Sequence, residues 1–145
     1  MIEEFVLNIN NLKPLVKGDG PIVVVDDDPA QIDLIQIFYE KSNRKNPLIC
    51  MKTGEEFLSY CHQVLQANAI MPELVLLDIN MPKMSGFDVL KKLRSISEFA
   101  EIPFILMFSS SDSDRDKEQA KNLKANAYFS KPVKSSDYVK FFDSI

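Results

Sequence analysis

The stretch Leu74-Val75-Leu76-Leu77-Asp78-Ile79-Asn80-Met81-Pro82 decides the fold of this chain. Four apolar residues run into one carboxylate, and a turn that contains a proline follows at once. A short apolar run bounded by turn residues is typical of a buried strand in a parallel sheet. Asp78 would then lie at the carboxyl end of that strand, where open α/β sheets bind their ligands. Taken alone, Asp78 is explained equally well as a residue that only ends a strand.

Composition and charge indicate a soluble globular protein of one ordinary domain. The 145 residues are 46% hydrophobic and 26% charged, with a net charge of −4 and no long basic run, which argues against nucleic acid as a partner. The acidic N-terminus predicts no signal peptide, and no apolar run is long enough to span a membrane. Cys50 and Cys61 lie within apolar patterns and are interpreted as buried free thiols, which favours a cytoplasmic location.

Residues 1–20 form an N-terminal extension of unknown role in this interpretation, and residues 21–145 form the domain. Apolar residues recur in the extension at helical spacing, but Pro14 limits any continuous helix. The turn sequence Gly18-Asp19-Gly20-Pro21 marks the boundary. The extension is interpreted either as a packed or frayed end, or as a segment that binds a partner or forms a dimer.

Five apolar segments alternate with five helical patterns through the rest of the chain. Strands are predicted at residues 22–25, 48–52, 74–77, 104–108 and 127–129, and helices at residues 29–39, 54–70, 85–97, 112–124 and 135–144. Such alternation with short connections predicts an α/β fold, a doubly wound parallel sheet with helices on both faces. The predicted strand order is 2-1-3-4-5, as in flavodoxin-like folds.

Polar residues follow four of the five predicted strands: Asp26-Asp27, Asp78, Ser109 and Lys131. Because parallel strands end at the same edge of a sheet, these side chains are expected to lie together. Clustered carboxylates repel one another and favour a bound cation, and oxygen ligands without His or Cys point to Mg²⁺. Lys131 and the Ser109 hydroxyl could stabilise a phosphoryl group there, and Asp78 could be the nucleophile that accepts it.

These motifs, in this order, resemble the receiver domain of two-component response regulators over about residues 21–145. The resemblance rests on the acidic pair, on the Asp78 strand followed by Gly86, and on three later matches: Ser109-Ser110, Tyr128 and Lys131-Pro132. It implies that Asp78 accepts phosphate from a histidine kinase or phosphotransfer protein. It also implies that Asp27 and Asp78 ligate Mg²⁺ directly, Asp26 through water, and Asn80 through its backbone carbonyl.

The resemblance also implies how a signal would leave the site. Ser109 and Lys131 would contact the phosphoryl group, and the Lys131–Pro132 bond is often cis in the family. Ser109 would move toward phosphorylated Asp78, and the switch residue Tyr128 would rotate inward. The face formed by residues 112–145 would report to a downstream protein. The aromatic residues of the last helix would either crowd the core or leave Tyr138, Phe141 or Ile145 exposed as a partner or dimer face, so a homodimer stays open.

Two other functions are weighed against this one. The first is a pseudo-receiver that binds partners without phosphorylation, although the acidic pair, Asp78, Ser109 and Lys131 are all present. The second is a small Mg²⁺-dependent phosphatase with an aspartate nucleophile, which would need a second acid two residues on, where Asn80 stands. The chain is therefore expected not to be an enzyme beyond self-catalysed phosphorylation and dephosphorylation.

Overall fold

A computed structural model describes residues 5–145 as a six-stranded parallel sheet between two layers of helices. The strands are Val6–Leu7 (β1), Ile22–Val25 (β2), Leu48–Met51 (β3), Leu74–Leu77 (β4), Ile105–Ser109 (β5) and Ala127–Ser130 (β6). The helices are Pro29–Lys41 (α1), Gly54–Leu65 (α2), Gly86–Arg94 (α3), Asp114–Asn122 (α4) and Ser135–Ser144 (α5), with a 3₁₀ turn at Ser97–Phe99. The strand order is β1-β6-β5-β4-β2-β3, and every pair is parallel.

The predicted doubly wound fold is confirmed, with one strand more than expected. Strands β2 to β6 follow the predicted 2-1-3-4-5 order. The additional strand, β1, lies in the N-terminal extension and pairs with the edge strand β6. A strand of two residues leaves no period-2 pattern, so the apolar spacing suggested a helix instead. Helix α2 also ends earlier than predicted, at Leu65, and the chain turns at Ala67 with a positive φ of 59°.

The central strands are buried on both faces, which explains their uninterrupted apolar sequence. Alternate side chains of β2 enter different layers of the core: Val23 and Val25 pack toward α2, α3 and α4, whereas Ile22 and Val24 pack toward α1 and α5. Burial of each such side chain contributes about 1.5–3 kcal/mol relative to exposure. Burial on both faces therefore fixes β2 and β4, and with them the residues that follow their carboxyl ends.

The N-terminal segment, residues 5–20, packs along the domain in this structure. Its strand β1 aligns Val6 with Tyr128 and Leu7 with Phe129 of β6. Farther along, the Leu15 N–H donates to the carbonyl oxygen of Ile145 at 2.6 Å, and Leu15 is buried. Strand β1 thus occupies the edge of β6 that a five-stranded sheet would leave open.

The aromatic residues of α5 belong to the core. Tyr138, Phe141 and Phe142 are buried, as is Ile145 just after the helix. The ring of Phe141 lies 4.7 Å from that of Phe129, between ring centroids. Of the two interpretations of this helix, the crowded core is the one observed, and the exposed aromatic face is wrong.

Among residues 5–145, no helix is both long enough and apolar enough to cross a membrane.

Candidate functional site

The candidate site is built from the carboxyl ends of neighbouring strands. The register aligns Val25 of β2 with Leu77 of β4, so the next residues, Asp26 and Asp78, lie side by side. The Asp78 N–H donates to the Val25 carbonyl at 3.0 Å, which extends the strand pairing up to the carboxylate. The position of Asp78 therefore follows from strand pairing and does not depend on a flexible loop.

Three carboxylates meet at this edge. One carboxylate oxygen from each of Asp26, Asp27 and Asp78 lies within 4.8 Å of the other two. Asp26 is 2% exposed and Asp78 is 8% exposed, whereas Asp27 is half-buried. Close carboxylates with so little access to water need a cation to offset their repulsion.

Lys131 supplies one such cation from the loop after β6. Its Nζ lies 2.9 Å from Asp26 Oδ2 and 3.4 Å from Asp78 Oδ1. Burial alone would lower the pKa of Lys131, but the hydrogen bond to Asp26 and the charges of both aspartates raise it above its ordinary value. The lysine is therefore charged at neutral pH.

The Lys131–Pro132 bond is not cis, contrary to expectation. Within residues 5–145 the cis bond is Ile102–Pro103.

The environment of Asp78 raises the pKa of its carboxyl group toward neutral pH. Burial is the main cause and raises the pKa of Asp78 to about 6, with Asp26 acting in the same direction and Lys131 opposing. The N–H of Ile79 also donates to the carboxylate and favours the charged form. Above about pH 7, Asp78 is consequently ionised in most molecules and can act as a nucleophile.

The loop after Asp78 is held against the start of α3. Ser85 caps that helix reciprocally with Asp88, each side chain accepting the other residue's backbone N–H. The Gly86 N–H donates to the Ile79 carbonyl at 2.8 Å, and a Cβ at Gly86 would collide with the carbonyl group of Asp78. Only glycine allows this close approach, which explains its place in the motif.

An open cavity of about 570 Å³ lies over the cluster. Its walls are formed by Asp26, Asp27, Asp28, Pro29, Gln31, Asp78, Asn80, Ser110 and Lys131. The structure thus brings five of the predicted site residues to one cavity. Ser109 is completely buried behind the wall, and Ser110 lines it instead.

Gln31 is a lining residue that the sequence interpretation missed. Its side-chain Nε2 donates to the Tyr138 hydroxyl at 2.7 Å, which joins the cavity wall to α5. The signal was present, because Asp28 caps α1 and places Gln31 in the first turn of that helix, at the edge of the site.

A short series of hydrogen bonds links the site to β6. The Ser111 N–H donates to Ser109 Oγ at 3.1 Å, and the Tyr128 hydroxyl donates to the Ser111 carbonyl at 2.9 Å. Tyr128 is 0% exposed. The inward position that the resemblance associates with phosphorylation is therefore already adopted in this structure.

Most of the described chain is similar to a known protein family. A family model described as the response regulator receiver domain matches residues 22–143. The chain belongs to this receiver domain family. Its members are response regulators of two-component systems, in which the receiver domain is phosphorylated on an aspartate. Receiver domains of this family accept a phosphoryl group and are not dedicated enzymes.

Individual relatives of this receiver domain match over most of their length. A probable methanogenesis regulatory protein, FilR2 of Methanothrix harundinacea, is 27% identical over 133 residues, covering 90% of this chain and 85% of FilR2. Response regulator Rcp1 of Synechocystis sp. is 28% identical over 125 residues, covering 86% of this chain and 84% of Rcp1.

Two solved structures of receiver domains bear on the site. The phosphorylated cyanobacterial phytochrome response regulator RcpA has a TM-score of 0.74 at 30% identity, covering 87% of this chain and 90% of RcpA. The Mn²⁺-bound form of Rcp1 has a TM-score of 0.70 at 27% identity, covering 85% and 88%. Receiver domains bind such divalent ions at an acidic cluster, and this chain has one in the same fold.

Proposed function

We propose that Asp78 is the residue that accepts the phosphoryl group in this response regulator receiver. The observation that carries this assignment is the convergence of three carboxylates and the Lys131 ammonium group at the end of β4. Asp26 and Asp78 both belong to the carboxylate cluster and contact Lys131, and Asp78 is the more exposed of the two, at 8% against 2%.

The acidic cluster fits Mg²⁺ as the resident ion. The donors are oxygen atoms only, and they lie close enough to share one small hard cation. In our assignment Asp27 and Asp78 bind Mg²⁺ directly, Asp26 acts through water, and Asn80 contributes its backbone carbonyl. When bound, the ion supplies positive charge that offsets the charge of an incoming phosphoryl group.

In the proposed reaction, a phosphoryl group moves from a nitrogen of the donor to the carboxylate oxygen of Asp78. A carboxylate oxygen of Asp78 attacks the phosphorus of a phosphohistidine, the P–N bond breaks with its electron pair left on the imidazole nitrogen of the donor's histidine, and an acyl phosphate forms on Asp78. Burial keeps the carboxylate poorly solvated, while Lys131 keeps it ionised near neutral pH. Hydrolysis returns Asp78 to its unphosphorylated form: water attacks the phosphorus of the acyl phosphate, and phosphate and the free carboxylate are released. Both steps use this chain's own residues, so phosphorylation and dephosphorylation are self-catalysed.

Two side chains would hold the phosphoryl group once it is attached. The Lys131 ammonium group already contacts Asp78 Oδ1, so it needs to move little to reach a phosphoryl oxygen on that residue. The Ser109 hydroxyl accepts a hydrogen bond from the Ser111 N–H and is buried, so it would have to turn toward Asp78 to donate to a phosphoryl oxygen. Any change at Ser109 would pass to Tyr128 through Ser111.

The donor is expected to be a histidine kinase or a phosphotransfer protein, and the reader a downstream protein. Receiver domains accept phosphate from such donors in general, which supports the first part. We place the exchange in the cytoplasm. Both cysteines are free, and proteins of reducing compartments rarely form disulfides.

A single incubation tests the assignment. The protein is mixed with a small phosphodonor such as acetyl phosphate and Mg²⁺, and intact and peptide masses are recorded. We expect one acid-stable, base-labile phosphoryl group on Asp78, none in Asp78→Asn, and full uptake in Asp33→Asn, the same change at an exposed position of α1. No adduct on the wild-type protein would support the pseudo-receiver, and steady turnover of phosphomonoesters would support the phosphatase.

A further inference from the structure

The N-terminal strand β1 covers the residue that connects the site to the edge of the sheet. Val6 is paired with Tyr128 in the β1–β6 ladder. Phe5, just before it, is 9% exposed and belongs to the same buried cluster as Tyr128. Phe5 and Val6 thus pack in the same core layer as Tyr128, on the side of the sheet where α4 lies.

Tyr128 in turn holds the loop that leaves the site. Its hydroxyl donates to the Ser111 carbonyl, and the Ser111 N–H donates to Ser109 Oγ. Ser130 Oγ contacts the same carbonyl at 3.4 Å, so both bonds to this carbonyl come from β6. An element that keeps β6 and Tyr128 in place therefore also keeps the Ser109–Ser111 turn in place.

We propose that Phe5 and Val6 are positioning residues for the phosphoryl-binding loop, and that docking of β1 favours the phosphorylated state of Asp78. The proposal rests on the assignment of Asp78 as the phosphoacceptor. It gives the N-terminal segment a role as a built-in activator, which acts through Tyr128 without contacting the cavity over Asp78.

The direction of the effect follows from the hydrogen bonds. In the turn as β1 holds it, the Ser111 N–H fixes the Ser109 oxygen and the Tyr128 hydroxyl fixes Ser111, so the Ser109 hydroxyl loses little conformational freedom when it binds a phosphoryl oxygen. Loss of β1 would expose Tyr128 and allow its hydroxyl to leave Ser111 for water. The Ser109–Ser111 turn would then less often adopt the conformation from which the Ser109 hydroxyl can donate to a phosphoryl oxygen. Coupling of this kind is reciprocal, so phosphorylation should also strengthen the docking of β1.

The strand is weak enough for such coupling to matter. Its ladder with β6 is only two residues long, and short pairings of this size are marginal by themselves. Edge segments of this kind open locally far more often than the whole domain unfolds. The docked fraction can therefore respond to a change at the site.

The test compares two truncations within the same segment. Phe5→Ala removes the cover of Tyr128, whereas Leu15→Ala removes an equally buried side chain that packs in the other core layer. Equilibrium binding of beryllofluoride, a phosphoryl mimic, is measured in excess Mg²⁺. We expect roughly fivefold weaker binding in Phe5→Ala, at the lower end of typical couplings between sites, and less than about twofold in Leu15→Ala.

A second background separates coupling from general destabilisation. Tyr128→Phe keeps the ring but lacks the hydroxyl that reaches Ser111. In that background, Phe5→Ala should have little further effect on beryllofluoride binding. Equal losses in Phe5→Ala and Leu15→Ala, or an undiminished loss in the Tyr128→Phe background, would overturn the proposal. Val6→Ala, at a half-buried position, replaces Phe5→Ala if the latter does not fold.

Hydrogen exchange of the Ser111 amide distinguishes failure of this proposal from failure of the assigned function. This amide donates to Ser109 Oγ, and its exchange is measured without metal or phosphoryl mimic. It should be severalfold faster in Phe5→Ala and unchanged in Leu15→Ala. If the wild-type protein takes up phosphate and this exchange does not respond, positioning by β1 is refuted. If the exchange responds and Asp78 takes up no phosphate, the assigned function is refuted.

Discussion

Replacement of Asp78 by asparagine should stabilise the metal-free protein near neutral pH, although it abolishes phosphorylation. The wild-type carboxylate is 8% exposed and lies beside a second carboxylate, Asp26, so its ionised form is disfavoured in the folded state. Asparagine has nearly the same shape and cannot ionise. Lys131 keeps its 2.9 Å contact with Asp26, so the substitution leaves no buried ammonium group without a partner.

The size of the effect follows from the shifted titration of Asp78. Burial raises the pKa of Asp78 to about 6 in the folded protein, against roughly 3.9 for an unfolded chain. Because the folded pKa is raised, the stability that the protonated carboxyl contributes is fully present below about pH 3.9 and is lost as the pH rises through about 6. The whole loss amounts to about 3 kcal/mol, and about 2 kcal/mol of it falls between roughly pH 4.5 and 7.5.

Urea unfolding with excess chelator, at these two pH values, measures this loss directly. The difference in unfolding free energy between Asp78→Asn and the wild-type protein should grow by about 2 kcal/mol from the lower to the higher pH. Asp33→Asn, at an exposed position, should stay within about 0.5 kcal/mol of the wild-type protein at both. A difference that does not change with pH, or a variant less stable than the wild-type protein near pH 7.5, would refute the argument. Mg²⁺ at about tenfold its Kd should add roughly 1.4 kcal/mol to the wild-type protein and less to Asp78→Asn.

Three further substitutions probe other parts of the structure. Lys131→Ala removes the cation between Asp26 and Asp78, so the metal-free protein should lose about 3–5 kcal/mol of unfolding free energy, yet bind Mg²⁺ at least as tightly by calorimetry; weaker Mg²⁺ binding would contradict this. Gly86→Ala should cost more than about 2 kcal/mol in urea unfolding, because its Cβ would collide with the Asp78 carbonyl group, and a neutral result would show that the loop can shift. Arg94→Met should cost about 2–4 kcal/mol, because this guanidinium donates to three backbone carbonyl groups, and a loss below about 1 kcal/mol would mean that water replaces it.

The N-terminal strand changes how an output surface on this receiver domain is to be understood. The face of residues 112–145 was expected to report to a partner, but β1 occupies the free edge of β6 within that face. The aromatic residues of α5 are likewise covered. A partner that pairs with the edge of β6 would therefore have to displace β1.

The amino-acid sequence was sufficient to predict the parallel sheet and the position of most site residues. Each central strand is a short apolar run, and the residue just after it lies at the sheet edge whatever the helices do. Asp26 and Asp78 follow from this rule, because the register of β2 and β4 aligns the residues before them. Such predictions succeed because strand burial and chain direction are local properties of the sequence.

Only the tertiary structure decided which distant segments meet. The pairing of β1 with β6 joins residues about 120 positions apart and has no periodic pattern of its own. The bond of Gln31 to Tyr138, the burial of the α5 aromatic residues and the inward position of Tyr128 likewise depend on packing between separate elements. The sequence alone therefore determined which groups stand at the site of this receiver domain. The folded chain decided which side chains from other elements pack against these groups, because such contacts depend on the close packing of distant segments and not on any local sequence pattern.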